Sequence, residues 1–93
     1  MPENYVIAAI NNPVAVALDG ADDVYVVDAG NNRIQKFTPM GSYLAQWGSA
    51  GSGNGQFNNP VSIAVDPSSN VYVLDVGNHR VQRFTSTGTY LNQ

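Results

Sequence analysis

Apolar and polar positions along this chain change places every residue or two, in short bursts. Runs rich in Val, Ile, Tyr and Phe are separated by clusters of Gly, Pro, Asn, Asp and Ser, with nothing at helical spacing. The pattern predicts strands at about 14–18, 24–28, 33–37 and 42–47, and again at about 61–65, 71–75, 80–84 and 89–92. In the first strand Val14, Val16 and Leu18 face one way and Ala15 and Ala17 the other; Val61, Ile63 and Val65 stand against Ser62 and Ala64 in the same manner. Two largely apolar faces mean a sheet covered on both sides. The links run to roughly four to six residues, too short for parallel crossovers of a dozen or more, so each set of four strands is an antiparallel meander.

The two sets are copies of one another. A shift of 47 residues lays 11–46 on 58–93 with 20 identities in 36 positions and no gap. "NNPVAVALD" meets "NNPVSIAVD", "VYVVDAGNNRIQKFT" meets "VYVLDVGNHRVQRFT", and "GSYLAQ" meets "GTYLNQ". A four-stranded meander recurring at such a period is a propeller blade. The expected fold is therefore all-β, with two four-stranded antiparallel blades per chain. The expected division is an extra strand in 1–10, a first repeat with its linker in 11–57, and a second repeat in 58–93.

The succession "P-V-x-x-A-x-D", "V-Y-V-x-D", "G-N-H-R-V-Q-R-F", "G-x-Y-L" and "W-G-x-x-G-x-G-x-G-Q-F" resembles the NHL repeat, a family named for an Asn-His-Leu triplet. Here the triplet reads Asn78-His79-Arg80 and Asn31-Asn32-Arg33, with Arg replacing Leu in both copies. The resemblance spans essentially the whole chain and implies a β-propeller, in this family usually of six blades. It implies little about activity, because one fold carries many functions. Relatives include an amidating lyase and RNA-binding propellers, and propeller lactonases share the architecture. An enzyme fragment of either kind and a protein- or RNA-binding propeller are thus the alternative readings.

Two blades alone leave an apolar sheet face open at each end. If each face exposes on the order of 500 Å², covering it is worth roughly 12 kcal/mol, against an association cost of about 4–15 kcal/mol. The two ends are different surfaces, so contacts between copies run head to tail and close into a ring when the rotation permits. Two blades per chain and six per ring predict a homotrimer. The length falls one residue short of two periods, which points to a module excised from, duplicated within or engineered from a larger propeller. In place of the Gly-rich linker "GSAGSGNGQF", the first ten residues offer "YVIAAI", a closure strand for the same or a neighbouring chain.

Charge and composition narrow the chemistry. The net charge is −3, and Arg33, Lys36, Arg80 and Arg83 are the only Lys and Arg, which speaks against nucleic acid. No apolar run approaches the roughly 20 residues of a membrane span. Without cysteine there is neither a disulfide framework nor a thiolate metal site. No cofactor, metal or catalytic residue is expected. Neither Gly-rich segment makes a phosphate loop, and there is no nucleophile elbow and no HExxH.

What remains is a repeated polar frame. Asp28 and Asp75 close their second strands; Arg33 and Arg80 open their third strands after a turn carrying Asn31 and Asn78. A carboxylate there accepts hydrogen bonds from the turn or pairs with the Arg. Recurrence in both repeats favours a structural role, since catalytic groups rarely recur at each unit. The weaker candidates for binding, to a protein or a glycan on the loop face, are Asn32, His79, Trp47 and Asn54. His79 is the lone histidine, and Asn32 is its counterpart. The competing reading of that Asn- and Gly-rich face is that its turns need positive φ.

Overall fold

In chain order the strands are β1 (Pro13–Leu18), β2 (Val24–Asp28), β3 (Arg33–Phe37), β4 (Tyr43–Trp47), β5 (Pro60–Val65), β6 (Val71–Asp75), β7 (Arg80–Phe84) and β8 (Tyr90–Asn92). The computed structural model describes residues 10–93; the strand expected over 5–10 lies, apart from Ile10, outside the described residues. The strands form two four-stranded antiparallel sheets, ordered β1-β2-β3-β4 and β5-β6-β7-β8. Each is a blade-like meander; β2, β3, β6 and β7 have the expected bounds, and β1, β4, β5 and β8 start one residue from the expected place.

Local chemistry sets the links. After β1, the Asp19 carboxylate accepts the N–H groups of Ala21 at 2.9 Å and Asp23 at 3.1 Å, while Tyr25 donates its hydroxyl at 2.8 Å. Asp66 repeats this with the N–H groups of Ser68 and Asn70 and the hydroxyl of Tyr72, each at 2.9 Å. These are Asx turns, which end one strand and aim the next.

The sheets meet through opposite faces. The first contributes Tyr25, Val27 and Ile34, and the second answers with Val71, Val73 and Phe84, joined by Phe57 from the linker. Trp47 packs between them, 5.7 Å from Phe84 and 6.4 Å from Tyr25 by ring centroids. On the far face of the first sheet Val24, Val26 and Phe37 are buried, with Ile10 packed against them.

Two features depart from simple alternation. β1 carries an extra residue, Val14, between the pairs Pro13↔Asp28 and Ala15↔Val27, and β5 has the same bulge at Val61. Such bulges increase the local twist. The second concerns the turn glycines. One-turn 3-10 helices, Ala29–Asn31 and Val76–Asn78, link the second and third strands, and the left-handed residues are Asn32 (φ 51°) and His79 (φ 54°). Gly30 has no positive φ; it is required because a Cβ would lie 2.6 Å from the Asn11 carbonyl oxygen, which accepts the Gly30 N–H at 2.7 Å. Gly77 repeats the contact with Asn58.

Candidate functional site

The frame gathers around two carboxylates with no exposed surface. Asp28 accepts the Asn11 N–H at 2.7 Å, the Asn31 amide at 3.0 Å, the Arg33 Nε–H at 2.6 Å and the Gln35 amide at 3.3 Å. Asp75 accepts the Asn58 N–H at 2.7 Å, the Asn78 amide at 2.8 Å, the Arg80 Nε–H at 3.0 Å and the Gln82 amide at 3.3 Å. A buried carboxylate with this many donors is satisfied where it stands. Strand pairing explains the gathering, because Asp28 lies opposite Arg33 and Asp75 opposite Arg80.

In the second sheet the frame reaches beyond itself. Arg80 donates to the carbonyl oxygens of Ser52 at 3.1 Å, Gly53 at 2.7 Å and Gln56 at 2.8 Å. Asn78 donates to the Gly51 carbonyl at 2.9 Å. Gln82 gives its amide N–H to the Gln56 carbonyl at 2.7 Å and accepts the Gly55 N–H at 2.8 Å. The Gly-rich linker is thus held backbone by backbone. The planar fork of Arg80 suits it to several carbonyls at once in a way a lysine would not match. Gln82 is the member of this clamp that reasoning about charge misses. Its signal in the sequence is its repetition, as Gln35 in "RIQKF" and Gln82 in "RVQRF".

The weaker candidates lie apart. Asn32 and His79 occupy the left-handed turn positions, His79 exposed and Asn32 half-buried. Trp47 is half-buried at the joint between the sheets, with its indole N–H buried and unpartnered among the described residues. Asn54 is exposed in the linker and accepts the Gln93 amide at 3.1 Å. No group of three or more His, Cys, Asp or Glu that could hold a metal ion forms among the described residues. A shallow apolar depression lies on the outward face of the second sheet, lined by Ser62, Ala64, Tyr72, Leu74 and Val81 among others.

Three carboxylates sit below the ordinary aspartate value. For Asp28 burial pushes upward, but the Asn11 N–H and then Arg33, Asn31 and Gln35 outweigh it. For Asp19 burial is likewise outweighed, by Tyr25 and the Ala21 and Asp23 N–H groups. For Asp66 the Asn70 N–H leads, against a smaller opposing effect of burial. Each depressed carboxylate stabilises the fold fully above the ordinary unfolded value of about 3.9 and loses that contribution as pH falls through its folded value. At chain concentrations too low for association, the melting temperature should therefore hold between pH 7 and 5 and fall steeply below about pH 4. A flat profile from pH 6 to 2.5 would show that these contacts do not form in solution.

A comparison with curated proteins found no match. The NHL repeat family model matches residues 11–37 and 57–84, which is more than half of the chain. Each match covers the first three strands of one sheet, including the complete Asp–Asn–Arg frame. The chain belongs to the NHL-repeat family, one repeat to each sheet.

Proposed function

We propose that this chain is a non-enzymatic propeller segment whose copies associate head to tail into a closed ring, three chains supplying six blades. The observation that carries the reading is a change of burial between equivalent positions. Val27 and Ile34 are wholly buried at the joint between the sheets, whereas their repeats Leu74 and Val81 on the outward face are 40% and 47% exposed. On the opposite outer face Val16 and Leu18 are 63% and 57% exposed, whereas their repeats Ile63 and Val65 pack against the joint's core. The outer face of the second sheet and the exposed β1 side of the first sheet's far face are therefore sequence repeats of the two sides of a joint that already exists within one chain, although Val24, Val26 and Phe37 on that far face are already buried.

A polar detail supports the same partner. Lys36 crosses the joint and donates to the Ser86 carbonyl at 3.0 Å. Its repeat Arg83, on the outward face, has a buried Nε–H without a hydrogen-bond partner among the described residues. In a second copy the residue equivalent to Ser86 is Pro39, and its carbonyl would stand within the same reach. A buried donor left unpaired costs about 1–3 kcal/mol, so a partner that supplies an acceptor gains by it.

Light scattering should give about 30 kDa, three chains of 9.9 kDa. Leu74→Asp should return the mass to that of one chain with the far-UV spectrum unchanged. Position 74 is 40% exposed in the single chain, so the introduced carboxylate would reach water there but be desolvated in the joint at a cost of several kcal/mol. A wild-type mass of one chain at every concentration, or a mass that grows without limit, overturns the ring.

A further inference from the structure

We infer that the joint between copies is sensitive to pH through His79, which would accept a hydrogen bond from the backbone N–H of Asn12 in the next copy. The inference rests on the head-to-tail reading above. Within one chain, Asn32 Oδ1 accepts the Asn59 N–H at 3.1 Å, bridging the first sheet's turn to the start of the second repeat. One period on, His79 replaces Asn32, and the residue equivalent to Asn59 is Asn12 of a docked copy.

The backbone at both ends of this bridge repeats. Asn32 and His79 share the left-handed conformation at φ 51° and 54°, and Asn12 and Asn59 do so at 57° and 60°. Asparagine Oδ1 and histidine Nδ1 are both bonded directly to Cγ. On the same backbone, therefore, the imidazole can present an acceptor where the amide oxygen stands. Neutral imidazole has one acceptor nitrogen, whereas imidazolium has two donors and no acceptor. Protonation would thus set an N–H against an N–H at every joint. Histidine is the side chain whose ordinary charge change falls between pH 5 and 8.

Other ionisable groups near this point do not change in that range or are retained in the control. On its own chain His79 is followed by Arg80, which is paired with Asp75. Across the joint, Asn11, Asn12 and Pro13 carry no ionisable side chain, and the carboxylate that this segment touches is Asp28, through the Asn11 N–H. Asp28 is held below the ordinary aspartate value and stays charged throughout. The terminal amine, with an ordinary value near 7.7–8.0, does titrate, but it is common to both proteins compared below.

The test is sedimentation velocity over a dilution series at pH 7.5 and pH 5.5, on the wild type and on His79→Asn, which installs the first repeat's own residue. The wild type should associate roughly two- to tenfold more weakly at pH 5.5, the scale of one hydrogen bond lost at a solvent-exposed position of the joint. His79→Asn should associate equally at both. A wild type indifferent to pH, or two proteins that weaken alike, overturns this inference and leaves the ring standing. A wild type that does not associate at pH 7.5 overturns the ring, and this inference with it.

Discussion

Asp75→Ala should lower stability by about 3–5 kcal/mol, the usual cost of removing one partner of a buried ion pair. For a domain of this size that is a fall in melting temperature of roughly 15–30 °C. The magnitude follows from what is left behind. Arg80, with only 12% of its side chain exposed, loses its counter-charge; the Asn58 N–H loses its acceptor, and buried Gln82 loses one of two. The linker should loosen as well, since Arg80 and Gln82 hold it from positions that Asp75 fixes. Thermal melts belong at one fixed chain concentration, because association raises apparent stability. A fall under about 5 °C would mean that Asp75 does not hold the corner, which would reopen the case for chemistry there.

Phe84→Ala should cost a similar 3–5 kcal/mol, the range for a fully buried phenylalanine whose cavity cannot collapse. Phe84 lies at the centre of the joint, its ring 5.7 Å from both Trp47 and Phe57 and 6.1 Å from Tyr90. Because Trp47 is the only tryptophan, its emission reports on this site alone. A red shift should accompany the loss. Leu44→Ala, at a position 46% exposed, should stay within about 0.5 kcal/mol. Equal effects from the two substitutions would mean that the sheets do not pack through this face.

The strands and their meander order were legible because period-two patterning and Asx-turn clusters are local signals, and repetition supplied each of them twice. The bulges at Val14 and Val61 were not. The added residue puts Pro13 and Ala15, two apart, on opposite faces, but it falls at the strand's first residues, where too few positions precede it for the pattern to show the offset. The expectation that Asn and Gly serve turns of positive φ holds at Asn12, Asn32, Asn59, Gly48, Gly51 and Gly55, but it does not assign a role to Gly30 and Gly77. In "AGNN" and "VGNH" Asn32 and His79 carry the positive φ, and Gly30 and Gly77 yield room to a neighbouring carbonyl. Of the polar frame, the Asp and Arg could be named from charge and spacing. The backbone N–H groups of Asn11 and Asn58 that complete it could not, because they arrive from the preceding link, 17 residues away in the chain. The hold of Arg80 on the linker is likewise invisible in a pattern, since its acceptors are carbonyls that any residue provides.

That hold runs backwards along the chain, from the first residue of β7 to the residues before β5. The heritable unit of this fold is consequently not the sheet alone but the sheet with the linker in front of it. A gene segment duplicated from one linker to the next carries both the clamp and its target, and the new copy arrives complete. A segment cut at the start of a first strand delivers a clamp whose target stays behind. Propellers built this way should lengthen by whole periods whose seams fall in the linker.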